Sequence, residues 1–204
     1  TAHLAILALF AGMVLGTGNA YAQPDSVIHR YFPGTSGTWA RQTMTQMTLD
    51  EKIGQLFMVA AYTNEHANDA FIENLIRNHH LGGVIFMQGG PRRQVAAANR
   101  WQAMARPPLL VAQDAEWGPS MRLDSMIVYP RNLTVAAVAS DSLLMAYGQR
   151  MATECRAVGV QVNFAPVVDV NNNPMNPVIN DRAFGDSPQN VANHGIMEIG
   201  RAHV

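Results

Sequence analysis

Charged side chains follow two apolar stretches of the chain, at the point where each stretch ends. The stretch 108–113 leads directly into Asp114 and Glu116, and Arg122 follows. A second apolar stretch, 160–168, ends at Asp169, and Arg182 follows it. Guanidinium groups keep neighbouring carboxylates ionised, and both groups are strong hydrogen-bond partners for sugar hydroxyls. The sequence therefore predicts a binding site for a polar, hydroxyl-rich ligand.

The cluster as a whole allows a second interpretation, as do Asp169 and the neighbouring Trp117. The charged residues could form a structural salt-bridge network around a loop. Trp117 could stack on a sugar ring or pack beneath the loop. Asp169 could bind the ligand or cap the backbone amides of residues 171–173. The sequence alone leaves these alternatives open.

The same region offers two further hypotheses, a metal site and a catalytic pair. The spacing of Asp169, Asn171 and Asn173 faintly resembles a calcium loop, but Pro174 replaces the required glycine and Asn180 the final glutamate. We therefore expect no metal and no other cofactor. Asp114 and Glu116 lie two residues apart at a strand end, on the same side of the sheet, as a pair of catalytic carboxyl groups would.

Strands and helices alternate along the chain in a way that predicts how these residues are positioned. The predicted strands are continuous apolar stretches, at 56–60, 84–87, 108–113 and 160–168. The predicted helices cover 67–79, 91–105, 140–158 and a segment that begins at 187. A capping box formed by Thr48 and Glu51 predicts a further, short helix before the first strand. This alternation is typical of an α/β fold with a parallel sheet covered by helices.

A doubly wound sheet and a (β/α)₈ barrel share this local pattern. No G-x-G-x-x-G motif follows any strand, which weakens a dinucleotide-binding interpretation. A barrel of eight units takes about 250 residues, so roughly half of one fits in 204 residues. We predict the N-terminal half of a TIM-type barrel, with the charged cluster at its carboxyl-end face, where such barrels hold their active sites.

The composition excludes several classes of function. The chain has 14 Lys and Arg against 15 Asp and Glu, a net charge of −1. It therefore lacks the basic patch that is typical of nucleic-acid-binding proteins, and we expect no nucleic-acid partner. Lys52 is the single lysine, which argues against Schiff-base chemistry. Cys155 is the single cysteine and lies on a predicted helix, so we expect it to be a core residue that forms no internal disulfide.

The two ends of the sequence predict segments outside the barrel. Residues 1–22 combine an apolar stretch with an Ala-x-Ala cleavage pattern, which predicts a secretory signal cleaved after Ala22. We expect a secreted or periplasmic protein with no membrane association after cleavage. Residues 23–47 are interpreted as a lead-in segment and 48–198 as the half barrel. Residues 199–204 match the translation of a common sequencing adapter, which is a hypothesis about their origin.

Five stretches of the chain resemble, in order, the N-terminal domain of glycoside hydrolase family 3. They are 52–57 (KIGQLF), 82–86 (GGVIF), 114–118 (DAEWG) with Arg122, 163–169 (NFAPVVD) and 176–185 (NPVINDRAFG). Together they span about residues 47–198. Trp117 stands where many members carry glycine, which resembles the secreted Bacteroidetes-type branch of the family.

The resemblance implies a retaining β-glycosidase acting on a β-linked glycan or amino sugar, closest to the β-N-acetylhexosaminidases, with a β-glucosidase as the alternative. In such enzymes the residues that match Asp114, Arg122 and Arg182 contact the sugar, and the one that matches Glu116 organises the loop. The nucleophile and the acid/base lie beyond residue 198, so no catalytic residue is assigned in this sequence. Further C-terminal domains are expected. A non-catalytic sugar-binding homologue is the other class that the sequence allows.

Overall fold

The computed structural model describes residues 37–202, which contain a four-stranded parallel sheet. Its strands are β1 (Met58–Tyr62), β2 (Gly83–Gln88), β3 (Leu110–Gln113) and β4 (Val162–Asn163). The strand order is β1-β2-β3-β4, the same as the order along the chain. A doubly wound sheet reverses its order at a switch point, whereas a barrel adds each strand beside the last. The chain thus has the partial (β/α)₈ barrel that the sequence predicts.

Helices precede, connect and follow the strands. They are α1 (Thr38–Gln46), α2 (Leu49–Gly54), α3 (Asp69–His79), α4 (Pro91–Met104), α5 (Asn132–Val135), α6 (Asp141–Ala157) and α7 (Pro188–Ala202), with 3₁₀ turns at Pro119–Met121 and Asn180–Arg182. The predicted capping box is present at the start of α2, where Thr48 and Glu51 bond reciprocally. None of the helices in the described part of the chain is both long and apolar enough to cross a membrane.

The core lies between the sheet and the helices α3, α4 and α6. Trp101 of α4 is fully buried and stacks on Phe86 of β2 with ring centroids 5.6 Å apart. Ile72 of α3 and Cys155 of α6 belong to the same cluster, and burial raises the pKa of the Cys155 thiol to about 11. Cys155 is therefore a core residue, as expected, and its thiol stays protonated at neutral pH. Leu110 at the start of β3, by contrast, is 52% exposed.

The predicted fourth strand is wrong in extent, and this changes the position of Asp169. β4 covers Val162–Asn163 rather than 160–168, and among the described residues it pairs only with β3. Pro166 has no N–H to donate to a ladder, and residues 164–168 run on without regular structure. Asp169 therefore lies well beyond a strand end rather than on one.

Two other predicted segments need comment. The lead-in segment 23–47 contains helix α1, which the sequence analysis did not predict and which buries none of its residues. The irregular segment 118–139 contains the short helix α5.

The predicted signal at 1–22 lies outside the described residues, and the adapter origin of 199–204 stays a hypothesis. β1 begins two residues later than predicted.

Candidate functional site

Asp114 stands directly after β3, at the carboxyl end of the sheet. Its carboxylate accepts a hydrogen bond at 3.0 Å from Nη2 of Arg122, whose Nε also donates to the Asp114 backbone carbonyl at 3.0 Å. The other carboxylate oxygen, Oδ1, accepts no hydrogen bond from any described residue, and 32% of the Asp114 side chain is exposed. Asp114 thus presents one acceptor oxygen at the surface of the site while Arg122 holds the other.

A tight loop returns Arg122 to Asp114. Gly118 has φ 87°, and a side chain there would meet the ring of Tyr129 at 2.7 Å, so only glycine fits. The loop is fastened to the end of β2, because the Gly89 N–H donates to the Arg122 carbonyl at 3.2 Å and the Gly89 carbonyl accepts from the Asp124 N–H at 3.0 Å. Backbone hydrogen bonds therefore fix the position of Arg122 from two sides.

Glu116 and Arg182 form a two-pronged ion pair. Arg182 Nε donates to Glu116 Oε2 at 2.9 Å and Nη2 donates to Oε1 at 2.7 Å. The Glu116 side chain is only 7% exposed. Both of its oxygens are engaged and shielded from solvent, so Glu116 organises the loop and is a poor candidate for a nucleophile. The pairing of Asp114 with Glu116 as two catalytic carboxyl groups finds no support in this geometry.

Arg182 also lies in the field of two further carboxylates. The hydrogen bond to Glu116 raises the pKa of Arg182 above its ordinary value, and the charges of Glu116, Asp169 and Asp114 act in the same direction. Asp169 is exposed and belongs to this cluster by charge rather than by a hydrogen bond. The charged residues predicted from the sequence, Asp114, Glu116, Arg122, Arg182 and Asp169, therefore lie together in one cluster.

The structure also tests whether Asp169 caps the loop amides. The amide of Asn171 donates to the Gly185 carbonyl at 2.9 Å, and that of Asn172 to the Val170 carbonyl at 2.8 Å. Within residues 37–202 no hydrogen bond links these amides to Asp169, so the capping interpretation is wrong. No group of three or more His, Cys, Asp or Glu side chains in that range is arranged to hold a metal ion.

Trp117 packs beneath a charged pair. The guanidinium of Arg131 lies 4.6 Å from the centroid of the Trp117 ring, a cation–π contact, and Arg131 Nη1 donates to Asp181 at 2.8 and 3.0 Å. One face of the indole is therefore occupied by Arg131. This arrangement favours the packing interpretation of Trp117 over sugar stacking on that face.

Three positioning residues escaped the sequence analysis as site residues. The Asn163 side chain accepts from Ala115 N–H at 3.0 Å and donates to the Ala115 carbonyl at 3.3 Å, which fixes the backbone between Asp114 and Glu116. Asn132, fully buried, donates to the Arg182 carbonyl at 2.8 Å, beside the Arg131 contact to Asp181. Asn163 lies in a motif of the family resemblance, but nothing in the irregular segment 118–139 points to Arg131 or Asn132.

A partial (β/α)₈ barrel with a polar, ion-paired site at its carboxyl-end face defines the class of protein, and comparison with known proteins gives the family. The profile described as "Glycosyl hydrolase family 3 N terminal domain" matches residues 48–200. The chain therefore belongs to glycoside hydrolase family 3 and contains part of its N-terminal barrel domain.

Curated relatives carry the names of several glycosidases. The chain is 32% identical over 157 residues to a "Beta-N-acetylglucosaminidase/beta-glucosidase" of Cellulomonas fimi, and the matched region covers 77% of this chain and 27% of the relative. It is 38% identical over 120 residues to a "Beta-hexosaminidase" of Xanthomonas oryzae, covering 54% of this chain and 35% of the relative. The chain thus spans only about a quarter to a third of the length of these relatives.

Solved structures of the family show the same fold. A family 3 β-N-acetylglucosaminidase from a Paenibacillus species is 31% identical with a TM-score of 0.67, covering 77% of this chain and 31% of that one. A β-glucoside phosphorylase, BglX, is 25% identical with a TM-score of 0.75, covering 81% of this chain and 30% of that one.

We expect the shielded ion pair to stabilise the fold more than an exposed pair does. In the full-length protein, Glu116→Gln would place an amide N–H against the Arg182 guanidinium and should cost about 2 kcal/mol of stability. The matched control is Asp69→Asn, which weakens the exposed pair with Arg100 and should cost at most about 1 kcal/mol. Thermal unfolding followed by circular dichroism compares the two. Equal midpoints for both variants would contradict a structural role for Glu116.

Proposed function

We propose that the full-length protein is a retaining β-N-acetylhexosaminidase that hydrolyses O-glycosidic bonds without a metal or an organic cofactor. The observation that carries this proposal is the half-engaged carboxylate of Asp114, which keeps one acceptor oxygen for a ligand beside two fixed guanidinium groups. Membership of glycoside hydrolase family 3 and the names of the hexosaminidase relatives support it.

In this proposal the described residues hold the sugar rather than break its bond. Asp114 Oδ1 accepts from sugar hydroxyls, and Arg122 and Arg182 donate to sugar oxygens. Glu116 keeps Arg182 charged and oriented, Asp169 contributes to the negative field around it, and Trp117 supports the loop. Binding that fixes the sugar ring lowers the entropic cost of reaching the transition state.

The chemistry itself needs two groups that this part of the chain does not assign. A retaining glycosidase uses a nucleophile that forms a covalent bond to the anomeric carbon, while an acid protonates the departing oxygen and then acts as a base toward water. By family resemblance both groups lie beyond residue 198, and further C-terminal domains follow. Residues 1–204 by themselves should therefore not turn over substrate.

Two alternatives to a β-N-acetylhexosaminidase can be distinguished by experiment. One is a β-glucosidase, because a relative is named for both the N-acetylglucosaminidase and the glucosidase. The other is a non-catalytic protein that keeps the sugar site. Assay of the full-length protein on nitrophenyl β-N-acetylglucosaminide and nitrophenyl β-glucoside separates them. We expect a higher kcat/KM on the first substrate, a preference for the second would favour the glucosidase, and turnover of neither would contradict hydrolysis.

Asp114 provides the sharpest test of the sugar site. In the full-length enzyme Asp114→Ala removes the carboxylate that accepts hydrogen bonds from the sugar. If those bonds are stronger in the transition state than in the bound substrate, their loss lowers the rate, and we expect kcat/KM to fall about 100-fold. The matched control is Asp50→Ala, which removes an exposed carboxylate at the start of α2 and should leave the kinetics unchanged. If the Asp114 variant kept wild-type kinetics in a folded protein, the residue would be structural only.

We also propose that the protein acts outside the cytoplasm, on the strength of the signal-like segment at residues 1–22. The mature protein would then begin at Gln23. N-terminal sequencing of the protein recovered from the periplasm or medium tests this, and a product that keeps residues 1–22 would count against it.

A further inference from the structure

Helix α6 carries a buried carboxylate, Glu154, that stability alone does not explain. Only 6% of the residue is exposed. Its Oε1 accepts hydrogen bonds from the Tyr129 hydroxyl at 2.8 Å and from Arg150 Nε at 2.9 Å, whereas its Oε2 is buried with no partner among the described residues. Burying a carboxylate carries a desolvation cost, and apolar residues of similar volume commonly serve a fold as well or better. Packing therefore does not account for a glutamate at this position, and its bond to Tyr129 indicates another role.

The bond to Glu154 fixes the orientation of the Tyr129 ring. Tyr129 lies in the irregular segment before α5 and is half-buried. Burial and the hydrogen bond to Glu154 raise the pKa of the Tyr129 hydroxyl above its ordinary value, so the hydroxyl stays protonated and remains a donor. The ring also meets the Tyr147 ring of α6 in an edge-to-face arrangement, with ring centroids 5.5 Å apart. Helix α6 therefore holds Tyr129 both through its hydroxyl and through its ring.

The same ring supports the turn at Gly118. A Cβ added at Gly118 would lie 2.7 Å from Cδ2 and 3.2 Å from Cε2 of Tyr129, so the ring lies directly against the backbone. Gly118 begins the turn, because its N–H donates to the Ala115 carbonyl at 3.0 Å and its carbonyl accepts from the Met121 N–H at 3.1 Å. A displaced Tyr129 ring would therefore leave this turn without support on one side.

The turn in its place determines where Arg122 lies. The Arg122 N–H donates to the carbonyl of Pro119, a fully buried residue, at 3.0 Å. From this position the Arg122 guanidinium holds one carboxylate oxygen of Asp114, and the Asp114 side chain stays 32% exposed. A series of direct contacts thus runs from Glu154 through Tyr129 and the turn to the Asp114 carboxylate.

We propose that Glu154 is a positioning residue for the sugar-binding loop, residues 114–122, and that it acts through the Tyr129 ring on the turn at Gly118. The inference rests on the proposed function and deepens it, because it adds a residue that the sugar never touches to those that set the geometry of the site. A hydrogen bond outside the site keeps the charged side chains of the loop in the arrangement that binding requires. Small displacements of such groups lower the rate strongly.

The test is a double-mutant cycle in the full-length protein, with kcat/KM on nitrophenyl β-N-acetylglucosaminide as the measurement. Tyr129→Phe keeps the ring and removes the hydroxyl, and Glu154→Met keeps the approximate size and removes the acceptor. We expect each change to lower kcat/KM roughly three- to tenfold. The double variant should lose no more than the larger single loss, because both changes remove the same bond.

Two further variants separate positioning from packing. Glu154→Gln keeps an oxygen that accepts from Tyr129, so its kcat/KM should stay within about twofold of wild type. Tyr147→Phe is the matched control for Tyr129→Phe, because the hydroxyl it removes is buried and has no hydrogen-bond partner within residues 37–202, and it should leave the kinetics unchanged. If Glu154 served only the stability of α6, its two replacements would differ in thermal midpoint and not in kcat/KM.

Hydrogen–deuterium exchange of the sugar-binding loop gives a second measurement that needs no activity. Three amides donate hydrogen bonds within the loop itself, those of Gly118, Met121 and Arg122. Exchange over this segment therefore reports how well the loop is ordered. We expect faster exchange across the loop in Tyr129→Phe and Glu154→Met, and wild-type exchange in Tyr147→Phe.

The other outcomes count against one proposal or the other. Wild-type kcat/KM in folded Tyr129→Phe and Glu154→Met, with or without faster loop exchange, would overturn the positioning role, as would losses that add in the double variant. Should Glu154→Met fail to fold, Tyr129→Phe is compared with Tyr147→Phe by the same criteria. Wild-type protein inactive on both nitrophenyl substrates would refute the proposed hydrolysis. Loop exchange then decides the positioning role: faster exchange supports it, and unchanged exchange overturns it.

Discussion

The two-pronged bond between Glu116 and Arg182 is the constraint on which the site depends. It joins the loop after β3 to the turn that follows β4, two segments 66 residues apart in the chain. Because the Glu116 side chain is shielded, the pair gains more from its charges than an exposed pair would, and losing one partner would leave the other poorly solvated. Asn132 and Arg131 reinforce the same connection from α5. The position of Arg182, and with it the shape of the site, follows from this contact.

The two carboxylates after β3 have different roles because their surroundings differ. Both carboxylate oxygens of Glu116 accept hydrogen bonds from Arg182, whereas one oxygen of Asp114 accepts from Arg122 and the other is exposed. Two carboxylates that lie two residues apart in sequence are thus divided into one that is bound and shielded and one that keeps an exposed acceptor oxygen. Asn163 maintains this division, because it holds the backbone of Ala115 between them from the neighbouring strand.

The relatives of this chain are named for different activities. Proteins named as hexosaminidases, as a glucosidase and as a β-glucoside phosphorylase all share this part of the barrel. Shared architecture with different named activities is expected, because a fold does not by itself fix the reaction.

The sequence by itself determined the α/β class, the approximate starts of helices α2, α3, α4, α6 and α7, the barrel family and the set of charged residues, because apolar periodicity, capping residues and ordered motifs are local signals. It also fixed Cys155 as a core residue. Only the tertiary structure decided which carboxylate pairs with which guanidinium, because those contacts join residues far apart in the chain. It likewise showed that β4 is short, that Asp169 acts by charge, that Arg131 covers Trp117, and that Glu154 bonds to Tyr129. None of these follows from spacing, since each depends on how separate elements pack.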